Sequence, residues 1–193
     1  VARALIPRLA ACGIAFLAAG SAGAGAWHGD GTAGKLGFSA VQAGARFAGS
    51  FAEFTVDLDF DPAAPAQGRL HVRIATASAD TQDDDRDGIL RGQDFFWSGR
   101  HPEAVYHAQG FKRDGKGWRA LGELTLRGVT QPVAVHFTAA AGKGLLTMKG
   151  QATLRRLAFG VGQGDWASTE WIGDEVGIAF ELSLSPAASA TSP

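Results

Sequence analysis

The residues with the greatest chemical potential in this chain are acidic. Asp83-x-Asp85-x-Asp87-Gly88, with Asp94 beyond it, has the spacing of a helix-loop-helix calcium loop, in which alternate carboxylates and a closing acid wrap one hard cation. The surroundings argue for something simpler. Asp94 stands where a bidentate glutamate is expected, the preceding segment alternates as a strand, and Phe95-Phe96-Trp97 follows at once. Negative charge at a helix start, complementing the helix dipole, accounts for the same residues. The histidines, His28, His71, His101, His107 and His136, never fall two or four residues apart, so no strand or helix carries a local metal pair. Nucleophile motifs are missing: no Gly-x-Ser-x-Gly elbow and no phosphate-cradling loop is present. The glycines of Phe159-Gly160-Val161-Gly162-Gln163-Gly164-Asp165-Trp166 have no βαβ unit around them and read as a bulged loop at a barrel rim. Neither a metal nor a cofactor is expected, and no residue is assigned a catalytic role.

The elements that would position a site come from alternation. Phe54, Val56, Leu58 and Phe60 alternate with Glu53, Thr55, Asp57 and Asp59, and Leu70, Val72 and Ile74 alternate with Arg69, His71 and Arg73. The same period of two runs through Trp118 to Leu126, Val133 to Phe137, Met148 to Leu154 and Val176 to Leu184. Turn residues separate the runs, as at Asp61-Pro62, Asp114-Gly115-Lys116-Gly117 and Gly128-Val129-Thr130-Gln131-Pro132. About eight strands result, near residues 38–41, 45–60, 69–78, 104–112, 117–127, 132–139, 145–156 and 175–185. Strands with one apolar face each need closure to bury it and to remove exposed edges. The fold class is therefore all-β, an eight-stranded antiparallel barrel, with one short helix between Thr81 and Gly92 capped by Asp80 or Thr81.

Three segments divide the chain. Residues 1–26 read as a cleavable signal peptide: Arg3 and Arg8, then an apolar stretch from Leu9 to Ala19, then Ala24-Gly25-Ala26. That stretch is shorter than the roughly 20 residues of a membrane span. Cys12, the one cysteine, lies inside it, ahead of most of the apolar run, where a lipid-attachment box does not belong. A periplasmic protein is expected. Residues 27–185 form the barrel domain and 186–193 a flexible tail. The net charge of −1 is not that of a nucleic-acid binder.

Inward parity nominates the cavity lining as Phe54, Val56, Leu58, Val72, Ile74, Phe95, Tyr106, Trp118, Leu124, Leu126, Val135, Phe137, Met148, Phe159, Trp166, Ile178 and Phe180. Small inward residues (Ala120, Gly122, Gly150 and Ala152) suit either a tapered, packed interior or space for a slender ligand. Tyr106, Trp118 and Trp166 join an apolar body to a polar tip and could meet a ligand head near the rim.

An ordered set of segments resembles the YceI-like family of polyisoprenoid-binding proteins. It comprises Phe51-x-x-Phe54 leading to Phe60-Asp61-Pro62; Ser78-x-Asp80-Thr81, Arg86-Asp87, Leu90, Phe95-Phe96 and Pro102; then Gly122-x-Leu124, Gly128-Val129-Thr130-x-Pro132-Val133 and Leu157-x-Phe159-Gly160. The resemblance covers about residues 36–185. It implies a lipocalin-like barrel whose apolar pore holds an extended polyisoprenoid lipid, and an acidic helix region that is no metal loop. Leu36-Gly37-Phe38 and Gln42-x-Gly44-Ala45 resemble a subgroup associated with a membrane-bound b-type cytochrome. The resemblance therefore implies an isoprenoid quinone as a ligand and, alternatively, a non-catalytic accessory role beside that cytochrome. A homodimer is left open.

Overall fold

The structure, a computed structural model, describes residues 25–188. Its strands are β1 (Gly25–Asp30), β2 (Gly34–Gln42), β3 (Ala45–Phe51), β4 (Phe54–Phe60), β5 (Arg69–Ala75), β6 (Ala79–Asp80), β7 (Glu103–Asp114), β8 (Gly117–Leu126), β9 (Val129–Gly142), β10 (Leu145–Arg155) and β11 (Glu175–Pro186). Helix α1 (Asp84–Arg91) lies between β6 and β7. All pairings are antiparallel, and β11 returns to pair with both β1 and β2.

Three of the barrel strands are broken in two. β1 and β2 both run along β11, while β4 pairs β1 and β3 pairs β2 across the same two gaps. β5 and β6 continue the pattern on β4 and β3. Joined across their breaks, the segments make eight long strands in chain order, each hydrogen-bonded to the next and the last to the first. The ring closes, and the unpaired sides it leaves are short, on β6 and on β3 from Ala45 to Gly49. Charged residues such as Asp57, Arg73, Arg119 and Glu123 face outward and apolar ones inward. A membrane-spanning barrel has the opposite polarity.

Local chemistry explains where the elements differ from expectation. The first long strand begins at Gly25, well before residue 38. Its glycines hide the alternation, yet Gly29 is buried so closely that a Cβ there would lie 2.6 Å from Leu184 Cδ2. The strand breaks where Asp30 accepts hydrogen bonds from the Thr32 amide and hydroxyl. Residues 1–24, most of the expected signal segment, lie outside the described residues, as does most of the 186–193 tail. Gly25 and Ala26, the last residues of that segment, pair with Phe60 and Asp59. The helix starts at Asp84, not at Thr81, because Asp83 takes the capping role and accepts from the Arg86 amide at 3.0 Å. Thr81 instead donates from its amide and hydroxyl to the buried Asp87 carboxylate, at 2.9 and 2.7 Å. These aspartates thus have structural partners: Asp83 also pairs with Arg86 at 2.8 Å.

The interior has two halves. At one end Phe60, Phe111, Trp118 and Phe137 stack with centroids 5.2–6.2 Å apart, edge to face except for the tilted Phe60–Phe111 pair, and Leu58, Leu146 and Leu184 belong to the same buried cluster. Phe111 reaches this cluster because β7 bulges between Ala108 and Phe111, with Gly110 at φ +74°. Simple alternation would have pointed Phe111 outward. The small inward residues serve both purposes that the sequence leaves open. Gly122 and Gly150 lie beneath the rings of Tyr106 and Phe180, Ala120 is sealed, and Ala152 faces open space. A Cβ on Gly150 would sit 2.4 Å from both the His136 carbonyl oxygen and Phe180 Cζ. Gly150→Ala is therefore expected to cost about 1–3 kcal/mol in a urea titration, the range for overpacking; unchanged stability would show that this wall yields.

Candidate functional site

Beyond the aromatic plug the barrel is hollow. A cavity of about 210 Å³ occupies the other half, and its wall is almost entirely carbon. Engineered apolar cavities of about 150 Å³ stay dry and take up apolar molecules the size of benzene. The space is a pocket closed at the plug, not a through tunnel. Its opening lies between α1, the β2–β3 hairpin and the segment from Arg156 to Asp174, where Phe47, Ile89, Trp166 and Gln42 reach both cavity and solvent.

The residues nominated by parity divide along the barrel axis. Val56, Val72, Ile74, Tyr106, Leu124 and Leu126 form one half of the wall, and Val135, Met148, Ile178 and Phe180 the other. Phe95, Phe159 and Trp166 roof it, with the Phe95 and Trp166 rings 5.6 Å apart. Phe54, Leu58, Trp118 and Phe137 also point inward but lie off the cavity, the last three in or against the plug. Parity identifies the face of a strand and says nothing of depth. Leu36, Phe38 and Ala40 of β2, Leu70, Ala104, and Phe47, Phe51 and Phe96 around the opening were missed. On β2 the alternation was present, but its short run made no long strand.

The polar tips are placed differently from expectation. Tyr106 is not at the rim: its hydroxyl donates to the Val133 carbonyl at 3.1 Å, with Ala120 O at 3.3 Å. Trp118 is at the plug, under the Arg113 guanidinium at 4.0 Å. Trp166 alone of the three is near the opening. Burial pushes the Tyr106 phenol up from 10.0 to about 12, a hydrogen bond opposing it. A raised folded-state pKa means its stabilising effect is intact below pH 10.0 and disappears as pH climbs through about 12. Tyr106→Phe is expected to cost about 1 kcal/mol at neutral pH, the value of one hydrogen bond, and to flatten the alkaline fall in stability between those limits. A variant whose stability falls as steeply with pH as the parent would contradict this.

Arg156, which the sequence reading passed over, holds the roof. It is 4% exposed and donates from Nε to Gly173 O, from Nη1 to Val161 O, and from Nη2 to Ile172 O and Ser168 O, at 2.8–3.3 Å. Burial lowers its pKa and the nearby Asp174 carboxylate opposes that shift. Gly162, at φ +86°, leaves room for the guanidinium: a Cβ there would meet Nη1 at 2.0 Å.

The outer wall carries four of the histidines. His28 pairs with Asp57 at 2.7 Å and His136 with Asp114 at 2.5 Å, and His71 faces His107 across β5 and β7 with ring centroids 6.3 Å apart. Among the described residues no three His, Cys, Asp or Glu side chains converge on a point where they could share a metal ion. No helix among them is long and apolar enough to cross a membrane.

Comparison with known proteins places this architecture. The YceI-like domain model matches residues 27–184. A UPF0312 protein of Photorhabdus laumondii is 38% identical over 88 residues and one of Yersinia pestis 39% identical over 88, each alignment spanning 46% of this chain. The match covers less than half, 46%, of the length of these curated relatives. Among solved structures, Burkholderia cenocepacia BcnA superposes with a TM-score of 0.76 at 31% identity, covering 80% of this chain and 98% of BcnA. A Campylobacter jejuni YCEI protein gives 0.60 at 26% identity, over 70% and 82% of the two chains. A polyisoprenoid binding domain from Saccharophagus degradans gives 0.63 at 14% identity, over 85% and 99%, which speaks to the fold alone.

Proposed function

The chain belongs to the YceI-like family, and on that footing we propose that it binds a slender apolar lipid, a polyisoprenoid or an isoprenoid quinone, in the closed-ended pocket of its barrel and catalyses no reaction. The observation that carries this reading is the pocket itself: about 210 Å³, walled by carbon and sealed at its inner end by packed aromatic rings. Each methylene moved from water into such a pocket contributes about 0.8 kcal/mol, so a few isoprene units give useful affinity without polar contacts. Support also comes from the shared fold of the polyisoprenoid binding domain from Saccharophagus degradans. The N-terminal pattern of Arg3, Arg8 and the Leu9–Ala19 apolar stretch supports export to the periplasm, where such a carrier would take lipid from a membrane. The reading is tested by mixing purified protein with vesicles that contain a long-chain polyprenol, then separating the two by gel filtration. Lipid travelling with the protein at one molecule per barrel is expected; lipid remaining wholly with the vesicles would overturn it.

A further inference from the structure

The polar groups at the opening, together with the charges that frame it, specify a ligand class. Resting on the lipid-binding reading, we infer that the pocket takes an amphiphile tail-first whose head is neutral and accepts hydrogen bonds, and that it discriminates against prenyl phosphates and diphosphates of the same tail.

Besides Tyr106 and Trp166, whose polar tips are described above, four polar side chains line the cavity: Gln42, Thr76, Arg86 and Arg156. Two are committed elsewhere. The Thr76 hydroxyl donates to the carbonyls of His101 and Pro102, and the Arg156 guanidinium is surrounded by four carbonyls of the roof segment. The other two sit at the opening. Arg86 lies 4.9 Å above the Phe47 ring, and the backbone of Gln42 bridges to Ile172 on the opposite side of the rim. An inserted tail would bring its head to these two donors.

A phosphate head needs unpaired cations or a free helix N-terminus. Here the helix N-terminus is closed and the cations are outnumbered by acids. Arg86 is already neutralised by Asp83 at 2.8 Å. The N-terminus of α1, the natural anion site, is capped by Asp83 and crowded by the exposed Asp84 and Asp85. The other rim segments add exposed Asp165 and Glu170 against exposed Arg46. Arg91 points its guanidinium to the Ala77 and Ala79 carbonyls, Arg155 pairs with Asp174, and Arg100 and Arg127 lie against Trp97. The opening is thus net acidic: exposed Asp84, Asp85, Asp165 and Glu170 outnumber exposed Arg46, which donates to the Ser39 hydroxyl and pairs with no carboxylate, and hydrogen-bond donors stand among them. A quinone carbonyl or a prenol hydroxyl fits it, and a multiply charged diphosphate is repelled.

The test uses displacement of bound 1-aminoanthracene by farnesol, farnesyl diphosphate and farnesane, which share one isoprenoid skeleton and differ in the head. Farnesol is expected to displace the reporter at about ten-fold lower concentration than the diphosphate at low salt, with the gap narrowing as salt screens the rim. In the double variant Asp84→Asn, Asp85→Asn the gap should shrink severalfold. Arg86→Met, which removes the donor, should weaken farnesol but not farnesane. Diphosphate binding as tight as farnesol overturns the inference while leaving lipid binding intact. Failure of all three compounds to displace the reporter overturns lipid binding itself.

Discussion

Replacing Ala152 with phenylalanine is expected to lower lipid affinity about 100-fold while leaving the barrel folded. Ala152 is on β10, paired with Ile178 of β11 and Val135 of β9, and its methyl faces the cavity. A ring placed there occupies the volume of several tail methylenes. At about 0.8 kcal/mol each, and 1.4 kcal/mol per ten-fold in affinity, excluding three or four of them accounts for the drop. The added ring enters empty space rather than a packed core, so the overpacking expected for Gly150→Ala does not apply. Titration with decylubiquinone followed by tryptophan fluorescence reads the affinity, and urea unfolding reads the fold. Undiminished binding by a folded Ala152→Phe protein would place the ligand outside the barrel.

The second large effect concerns the roof. Arg156→Met keeps much of the side-chain bulk but leaves the carbonyls of Val161, Gly173, Ile172 and Ser168 without their donor. Leaving a buried acceptor unsatisfied costs about 1–3 kcal/mol, so the loss of several of these bonds is expected to cost about 3–5 kcal/mol, which for a chain of this size lowers Tm by roughly 10 °C. Arg156→Lys should recover little, because a single ammonium cannot reach carbonyls spread around a planar guanidinium. Hydrogen exchange should quicken first between residues 156 and 174, ahead of β7 and β8. A Met variant melting within a degree or two of the parent would show that the roof is held by its apolar contacts instead.

Much of the barrel was legible because alternation reports burial directly. Val72, Leu124 and Ile178 face inward as their period requires, and the same period located most strands. Depth along the axis was not legible. Leu58 and Val56 are adjacent inward residues of one strand, yet one supports the plug and the other lines the pocket. The difference depends on where Phe111 and Trp118 enter from other strands, and the bulge at Gly110 that turns Phe111 inward is itself a break in the pattern. The start of α1 was misplaced for a related reason: five aspartates between residues 80 and 87 could each cap it, and only the buried Thr81–Asp87 contact decides among them. Arg156 carries no signature in sequence, since its four acceptors are backbone atoms.

The most direct measurement is native mass spectrometry of the protein recovered from the cells that made it, before and after organic extraction, with Ala152→Phe alongside. A parent carrying one extractable isoprenoid per chain, identified in the organic phase, and an Ala152→Phe protein without it is the predicted result. Parent and variant both carrying the same lipid, or both emerging empty after growth and after loading with excess lipid, would contradict the claim that the half-hollow barrel is a lipid pocket.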